Sequence, residues 1–140
     1  ILFLLVSLTV YAAFFTENDR MDREVERLCA IDGGIRVYET VKLPAERFDQ
    51  YGNVKITSKE FLKPTDEYYF EFREAFIREG NPRLIRFNTQ IIRISDGKVL
   101  GESIRYGRSG GDLPGPWHES SFSCPLLPMN LSFSIFLREE

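Results

Sequence analysis

The start of the chain constrains the possible fold most, because the fifteen residues from Ile1 to Phe15 carry no charged side chain. This run leads directly into a charged segment with a helical pattern that ends near Ala30. As one helix, the uncharged run would measure about 22 Å at ~1.5 Å per residue, against a hydrocarbon core of about 30 Å. We therefore predict a transmembrane anchor over residues 1–15, followed by a single globular domain over residues 16–140.

Two alternatives to a retained anchor are open from the sequence. The hydrophobic region of a secretory signal peptide has the same length and composition, and a buried core helix is also apolar. No small-residue cleavage site precedes Thr16, because Ala12 and Ala13 are followed by two phenylalanines, and this favours a retained anchor. The sequence begins at Ile1 rather than at methionine, which leaves open a truncated start.

The charged segment continues the helical period of the anchor. Met21, Val25 and Leu28 recur at helical spacing and define one apolar stripe. Gly33 and Gly34 then offer the left-handed backbone positions at which helices commonly end. We predict one helix from residue 1 to about residue 31, with its first half in lipid and its amphipathic second half packed on the domain.

Beyond the glycines the hydrophobic period changes to two, which is typical of strands. Strands are predicted over residues 35–42, 54–57, 68–76, 84–94, 98–106 and 133–137, and a helical turn begins at Pro44. Asp96-Gly97 between two alternating runs is a strong hairpin signal. In residues 84–94, apolar side chains occur at both odd and even positions, which indicates either a bulge or a strand that is buried on both faces. The predicted fold class is α+β: a long N-terminal helix packed on an antiparallel sheet of about five strands.

The charge balance narrows the possible partners. Eighteen basic and 21 acidic residues give a net charge of −3, which argues against a nucleic-acid binder. The predicted partners are membrane lipid and other integral membrane proteins. Gly107 to Gly111 with Arg108 suggests an anion cradle, but no strand–loop–helix context follows, so a phosphate loop is rejected and no cofactor is predicted.

Cys29 and Cys124 are the only cysteines. A disulfide between them is the leading interpretation for a domain outside the cytoplasm. Two free buried thiols, or a catalytic or metal-binding thiol, are the alternatives. Two cysteines do not make a zinc site alone, and the lone His118 is far from a metal-ligand spacing, so no metal site is predicted. Arg27 and Leu28 before Cys29 argue against lipid attachment.

The segment from Tyr106 to His118 has the most function-like composition in the chain, with four glycines, two prolines, the only tryptophan and the only histidine. The binding hypothesis is that a ligand or partner contacts Arg108, Asp112, Trp117 and His118. The alternative is a tightly turning loop whose tryptophan fills a hydrophobic gap.

Serines close to His118 raise the possibility of a hydrolytic site, but adjacency in sequence is poor evidence for a triad. We therefore predict that the protein is not an enzyme and assign no catalytic residue. Asn130-Leu131-Ser132 matches a glycosylation acceptor, a tripeptide that is common by chance.

Two stretches resemble a protein family: LCAIDGGIRVYETVKLP at residues 28–44 and GESIRYGRSGGDLPGPWHESSFSCP at residues 101–125. They resemble small uncharacterised proteins of Proteobacteria that are exported or membrane-tethered, with one apolar segment and one compact domain. The resemblance covers about 42 of the 140 residues and includes both cysteines. It implies a bacterial envelope location and no particular activity.

The leading functional hypothesis is a non-catalytic accessory subunit of a bacterial inner-membrane complex, with its soluble domain in the periplasm. One alternative is a stand-alone, membrane-tethered periplasmic domain that binds a ligand through the Arg108–His118 loop, and another is a small envelope enzyme using His118. A pilin-like filament subunit is a further alternative, since the architecture resembles type IV pilins. Against it, Leu5 stands where such subunits usually carry glutamate, and charge appears as early as Glu17.

Overall fold

The computed structural model of the chain describes residues 1–125 and 130–140. Its helices and strands are, in chain order, α1 (Leu2–Asp32), β1 (Gly34–Val37), β2 (Val41–Leu43), β3 (Thr57–Ser58), β4 (Tyr68–Arg78), β5 (Arg83–Arg93), β6 (Val99–Ser109), β7 (Ser121–Cys124), α2 (Leu131–Ile135) and β8 (Phe136–Arg138). Short 3-10 turns occupy Ala45–Arg47, where a helical turn was predicted, and Lys59–Phe61. The predicted α+β class is confirmed.

The main sheet has six strands, ordered β1-β6-β5-β4-β3, with β7 also pairing with β6. Strands β1 and β7 run antiparallel to β6, whereas β3 runs parallel to β4. Strands β2 and β8 form a separate parallel pair, in which Val41 lies opposite Phe136. The sheet is therefore mostly antiparallel, and its six strands compare with the predicted sheet of about five.

The predicted hairpin is confirmed, because β5 and β6 are neighbours joined by residues 94–98. Gly97 has a φ of 70°, a conformation that glycine adopts at little steric cost. The Asp96 carboxylate accepts the Lys98 backbone N–H at 3.1 Å and stabilises the turn. Consecutive apolar residues of β5 are buried, namely Leu84 with Ile85 and Ile91 with Ile92. Both faces of the strand are therefore buried, which is one of the two predicted arrangements.

Helix α1 is continuous over 31 residues, as predicted. Gly33 does not take the predicted left-handed conformation, since its φ is −74° and its ψ is 155°. Glycine is needed there for space, because a Cβ atom would lie 2.7 Å from the Cys29 Sγ and 2.8 Å from the Cys29 carbonyl oxygen. The left-handed prediction is correct for Gly34, whose φ is 115°.

The predicted strand over residues 133–137 is wrong in its first part. The Asn130 side-chain oxygen accepts the backbone N–H groups of Ser132 at 3.1 Å and Phe133 at 3.4 Å. An asparagine N-cap of this kind satisfies amides that the first helical turn leaves unpaired. Helix α2 therefore begins at Leu131, and β8 begins only at Phe136.

The chain divides into two compact units. Unit 1 comprises Ile1–Gly33, Glu74–Arg86 and Arg105–Leu126, and unit 2 comprises Gly34–Arg73, Phe87–Ile104 and Leu127–Glu140. The single globular domain over residues 16–140 stays a prediction.

Unit 2 contains an apolar core built from strands of both sheets and from α2. Its buried members are Leu43, Val54, Ile91, Leu100, Leu131, Ile135 and Phe136. Leu100 and Ile135 have no exposed surface. The Tyr68 ring meets the Phe136 ring edge-on, with centroids 4.9 Å apart. Burial of apolar area in this core stabilises unit 2.

In unit 1, the second half of α1 packs against β7. Val25, the centre of the predicted stripe, is fully buried, and Met21 and Leu28 are half-buried. The predicted disulfide is confirmed, because Cys29 near the end of α1 is bonded to Cys124 at the end of β7. Helix and strand are thus joined both by packing and by a covalent bond.

Candidate functional site

The predicted functional loop connects two paired strands of unit 1. Strand β6 continues to Ser109, past its predicted end at residue 106, and β7 returns along it from Ser121. At the base of the connection, the Gly110 N–H donates to the Ser120 carbonyl at 3.1 Å. Gly110 and Gly111 have φ values of 81° and 80°, so the turn depends on glycine.

Arg108 is buried, with 4% of its surface exposed. Its guanidinium forms an ion pair with the Asp22 carboxylate of α1. The Nη1 group also donates to the Gly110 carbonyl at 2.7 Å and to the Ser120 hydroxyl at 2.9 Å. These contacts attach the loop to the helix. The proposed binding role of Arg108 stays a prediction.

Asp112 also stabilises the loop. Its carboxylate accepts the Ser120 backbone N–H and the Ser120 hydroxyl, each at 2.6 Å. The Asn18 amide nitrogen lies 3.5 Å from the same carboxylate. The hydrogen bonds from Ser120 lower the pKa of Asp112, so this carboxyl group is ionised at neutral pH.

The glycine-rich stretch does not present its last two amides to an anion. The Gly110 N–H is bonded to Ser120, and the Gly111 N–H donates to the Asn81 side-chain oxygen at 2.5 Å. An anion cradle requires successive amides aimed at one centre. Within the described ranges 1–125 and 130–140, no group of three or more His, Cys, Asp or Glu side chains is placed to hold a metal ion.

Trp117 and His118 lie at the exposed end of the loop. Trp117 is 55% exposed, and its indole lies against Gly115, where a Cβ atom would overlap the ring. His118 is exposed, and the part of the chain that the structure describes gives its imidazole no hydrogen-bond or ion-pair partner. A general base acts within hydrogen-bond reach of the group that it deprotonates. That the protein is not an enzyme stays a prediction.

A cleft of about 330 Å³ opens beside this loop in unit 1. Its lining residues come from α1 and from the loop: Tyr11, Phe14, Phe15, Asn18, Asp112, Leu113 and Trp117. Asp112 and Trp117 were predicted as binding residues from the sequence, whereas the helix residues were not. A signal was present, because Tyr11, Phe14 or Phe15, and Asn18 recur at helical spacing and share one face of α1.

A second cluster in unit 1 was missed by the sequence analysis because its members are distant along the chain. The Asp32 carboxylate accepts the Arg86 Nε–H at 2.9 Å and the Tyr106 hydroxyl at 2.7 Å. Burial, together with the hydrogen bond to Asp32, raises the pKa of Tyr106. A carboxylate is unfavourable at a helix C-terminus, and the Arg86 charge offsets this. The cluster therefore stabilises the end of α1.

Unit 2 has a comparable polar cluster around Glu102. The Glu102 carboxylate accepts the Tyr38 hydroxyl at 2.7 Å, the Asn88 amide at 3.1 Å and the Gln90 amide at 3.4 Å. The hydrogen bond from Tyr38 lowers the pKa of Glu102 and raises that of the tyrosine. The carboxylate is thus held ionised by these neutral donors together with the Arg36 guanidinium, which lies 3.6 Å from it.

Helix α1 is long and apolar enough to cross a membrane, and none of its most apolar window is buried. An N-terminal signal sequence has the same properties, whereas the core helix of a soluble protein is mostly buried. The N-terminal helix is therefore compatible with a single-pass anchor.

No protein family, no curated protein and no solved structure matches this chain.

Proposed function

We propose that the protein is a non-catalytic accessory subunit of a bacterial inner-membrane complex, anchored by α1 and with its folded part in the periplasm. The observation that carries this proposal is the exposure of the first thirteen residues of the chain. Leu2, Phe3 and Leu4 are 77%, 83% and 72% exposed. A continuous apolar surface of this kind calls for lipid or a protein partner.

The few polar side chains within the apolar run are suited to lipid. The Ser7 hydroxyl donates to the Phe3 carbonyl at 2.9 Å, and the Thr9 hydroxyl donates to the Val6 carbonyl at 2.8 Å. Polar groups in a hydrocarbon environment must be satisfied internally. These hydroxyls meet that requirement without water, so they do not count against membrane insertion.

The exposed part of α1 contains small side chains. Small residues allow membrane helices to approach closely, and Ala12 and Ala13 are adjacent small residues there. This feature supports a subunit role.

The disulfide supports a location on the oxidising side. Cys29 and Cys124 are bonded, and persistent disulfides occur mainly in secreted, periplasmic and extracellular proteins. The bacterial envelope location implied by the family resemblance points the same way. Together they favour the periplasm.

The test is to extract the native protein in mild detergent and to identify what migrates with it on a native gel. We expect stoichiometric companions, and we expect Ala13→Leu to weaken their association. Val10→Leu is the matched control, because it changes one large apolar side chain for another in the same helix. A lone monomer that retains its membrane location would contradict the subunit proposal.

The cleft favours a second candidate, a membrane-tethered periplasmic domain that binds a ligand. Its aromatic walls and one ionised carboxylate are typical of small-molecule sites. This candidate predicts a monodisperse protein in detergent and a change in Trp117 fluorescence on ligand addition. Stoichiometric companions without such a change would contradict it.

A further inference from the structure

The cleft in unit 1 joins two segments that are about a hundred residues apart in sequence. Tyr11, Phe14 and Phe15 come from the last turns of the uncharged run, and Leu113 and Trp117 come from the loop. The first charged residue of the chain, Glu17, follows within one turn. The aromatic walls therefore lie where the helix passes from apolar to charged sequence.

This level corresponds to the membrane–water boundary if α1 is the anchor. Trp and Tyr are enriched at that boundary, because each ring has an apolar body and a polar atom. Trp117 is 55% exposed and Tyr11 is 57% exposed, so both rings are accessible to lipid. The aromatic pair matches the interfacial region of a bilayer.

The loop is suited to contact with lipid. Residues 113–117 carry no charge, and the loop is held in place by the two hydrogen bonds from Ser120 to Asp112. An uncharged and fixed segment enters the headgroup layer at a lower desolvation and entropy cost than a charged or mobile one. The loop therefore provides a rigid wall for the cleft.

The polar end of the cleft is negative. Asp112 is ionised at neutral pH, and Ser120 and Asn18 supply the three hydrogen-bond donors described above. A carboxylate has about four lone-pair sites, which leaves one acceptor site. Arg108 is the nearby cation, but its charge is balanced by Asp22. This end therefore favours a cationic group with hydrogen-bond donors.

We propose that this cleft binds a zwitterionic phospholipid of the bilayer through its ammonium headgroup. The ammonium lies beside Asp112 and over the Trp117 ring, where a cation is attracted to the π-face. The glycerol and upper acyl region contact Phe14, Phe15 and Leu113. The inference rests on the proposed anchoring of α1, but it does not depend on membership of a complex.

The test uses the full chain in lipid nanodiscs, where Trp117 is the sole tryptophan and hence the sole indole reporter. Two mixtures of phosphatidylethanolamine and phosphatidylglycerol are compared at equal mole fraction, each with only one lipid brominated near the top of its acyl chains. We expect brominated phosphatidylethanolamine to quench Trp117 about two- to fivefold more strongly, which is the enrichment expected from one cation–π contact. Equal quenching by the two lipids would overturn the inference.

Variants separate the headgroup contact from general membrane proximity. Asp112→Asn should abolish the preference for phosphatidylethanolamine while leaving total quenching similar. Asp96→Asn makes the same chemical change in unit 2 and should leave the preference intact. Ser120→Ala removes one hydrogen bond to Asp112 but keeps its charge. If the preference is lost in Asp112→Asn and kept in Ser120→Ala, the charge of Asp112 is the cause. A preference that persists in Asp112→Asn would contradict the proposed headgroup site.

The outcomes also distinguish this inference from the proposed anchoring. If the chain fails to incorporate into nanodiscs, the anchoring and the lipid site are both wrong. If it incorporates and shows no lipid preference, the anchoring is supported and the lipid site alone is wrong.

Discussion

The two units are stabilised in different ways. Unit 2 contains the seven-residue apolar core, and its ion pairs around Arg93 involve side chains that are 25–47% exposed. Unit 1 has a disulfide and a buried Arg108 whose side chain is 5% exposed. Exposed ion pairs contribute little to stability, whereas breaking a buried pair is costly. We therefore predict that unit 1 depends more than unit 2 on crosslinking and buried charge, and that unit 2 depends more on apolar packing.

The largest expected effect is removal of the disulfide by the double substitution Cys29→Ala and Cys124→Ala. The crosslinked residues are 95 apart in sequence, and chain-entropy estimates for such a loop give about 4 to 5 kcal/mol. We expect amide hydrogen exchange to show a large loss of protection in residues of unit 1 and a smaller loss in unit 2. Equal losses of protection in both units would show that the two units unfold together. This result would contradict the predicted difference in how they are stabilised.

Arg108→Ala is the next largest change. It leaves the Asp22 carboxylate without its ion-pair partner and removes the hydrogen bonds to Gly110 and Ser120. Loss of one partner of a fully buried pair costs about 3 kcal/mol or more, and because the Asp22 side chain is 28% exposed, we expect a loss at the lower end of this range. Urea unfolding of the purified protein measures this loss in the free energy of unfolding.

Arg93→Ala is the matched control in unit 2. Arg93 also pairs with two acceptors, Glu39 and Asp96, but it is a more exposed arginine. A clearly smaller loss of stability than in Arg108→Ala is expected. Similar losses for the two arginines would mean that burial of the ion pair does not distinguish the units.

In unit 2, Gly101→Ala tests the packing of the apolar core. A Cβ atom at this position would lie 2.8 Å from the Ile135 Cδ1 atom and 2.9 Å from the Arg36 carbonyl oxygen. Overpacking a core of this kind costs about 2 kcal/mol. The expected result is a lower urea midpoint with an unchanged denaturant dependence.

The double variant Gly101→Ala, Ile135→Val provides the control, because valine lacks the Cδ1 atom. Ile135→Val alone is expected to cost about 1 kcal/mol. The loss of stability in the double variant should be smaller than the sum of the two single losses, since the contact with Cδ1 is removed while the approaches to the Cγ1 atom at 3.2 Å and to the Arg36 carbonyl oxygen remain. Strict additivity would show that Gly101 and Ile135 are not in close contact.

Local signals explain which parts of this fold were predictable. The continuous helical period of α1 and the Asp96-Gly97 turn are encoded within a few residues, and both predictions are confirmed. The Asn130 cap is equally local and was overlooked because the tripeptide matched another pattern. The parallel pairing of β2 with β8 joins segments that are far apart in sequence, with Val41 opposite Phe136, and no sequence period reports it.

The candidate site, too, could be predicted only in part from local sequence signals. The loop between Tyr106 and His118 stood out by composition, but composition did not reveal that Arg108 is buried against Asp22, 86 residues earlier in the chain. The cleft arises only when that loop lies beside Tyr11, Phe14 and Phe15. Tertiary packing, rather than local chemistry, thus decides which loop residues are structural and which are accessible.

The smallest expected effect concerns the exposed ion pair at the hairpin of unit 2. The hydrogen bond from Arg93, followed by the one from the Lys98 backbone N–H, lowers the pKa of Asp96 from 3.8 to about 2. A lowered pKa means that the contribution to stability is complete above about pH 4 and is lost as the pH falls through about 2. An NMR titration of the Asp96 carboxyl group measures this shift directly. Because the pair is exposed, added salt should move the titration midpoint back toward 3.8. A midpoint near 3.8 already at low salt would mean that the Arg93–Asp96 pair does not form in solution, and that unit 2 depends on its apolar core even more than the comparison states.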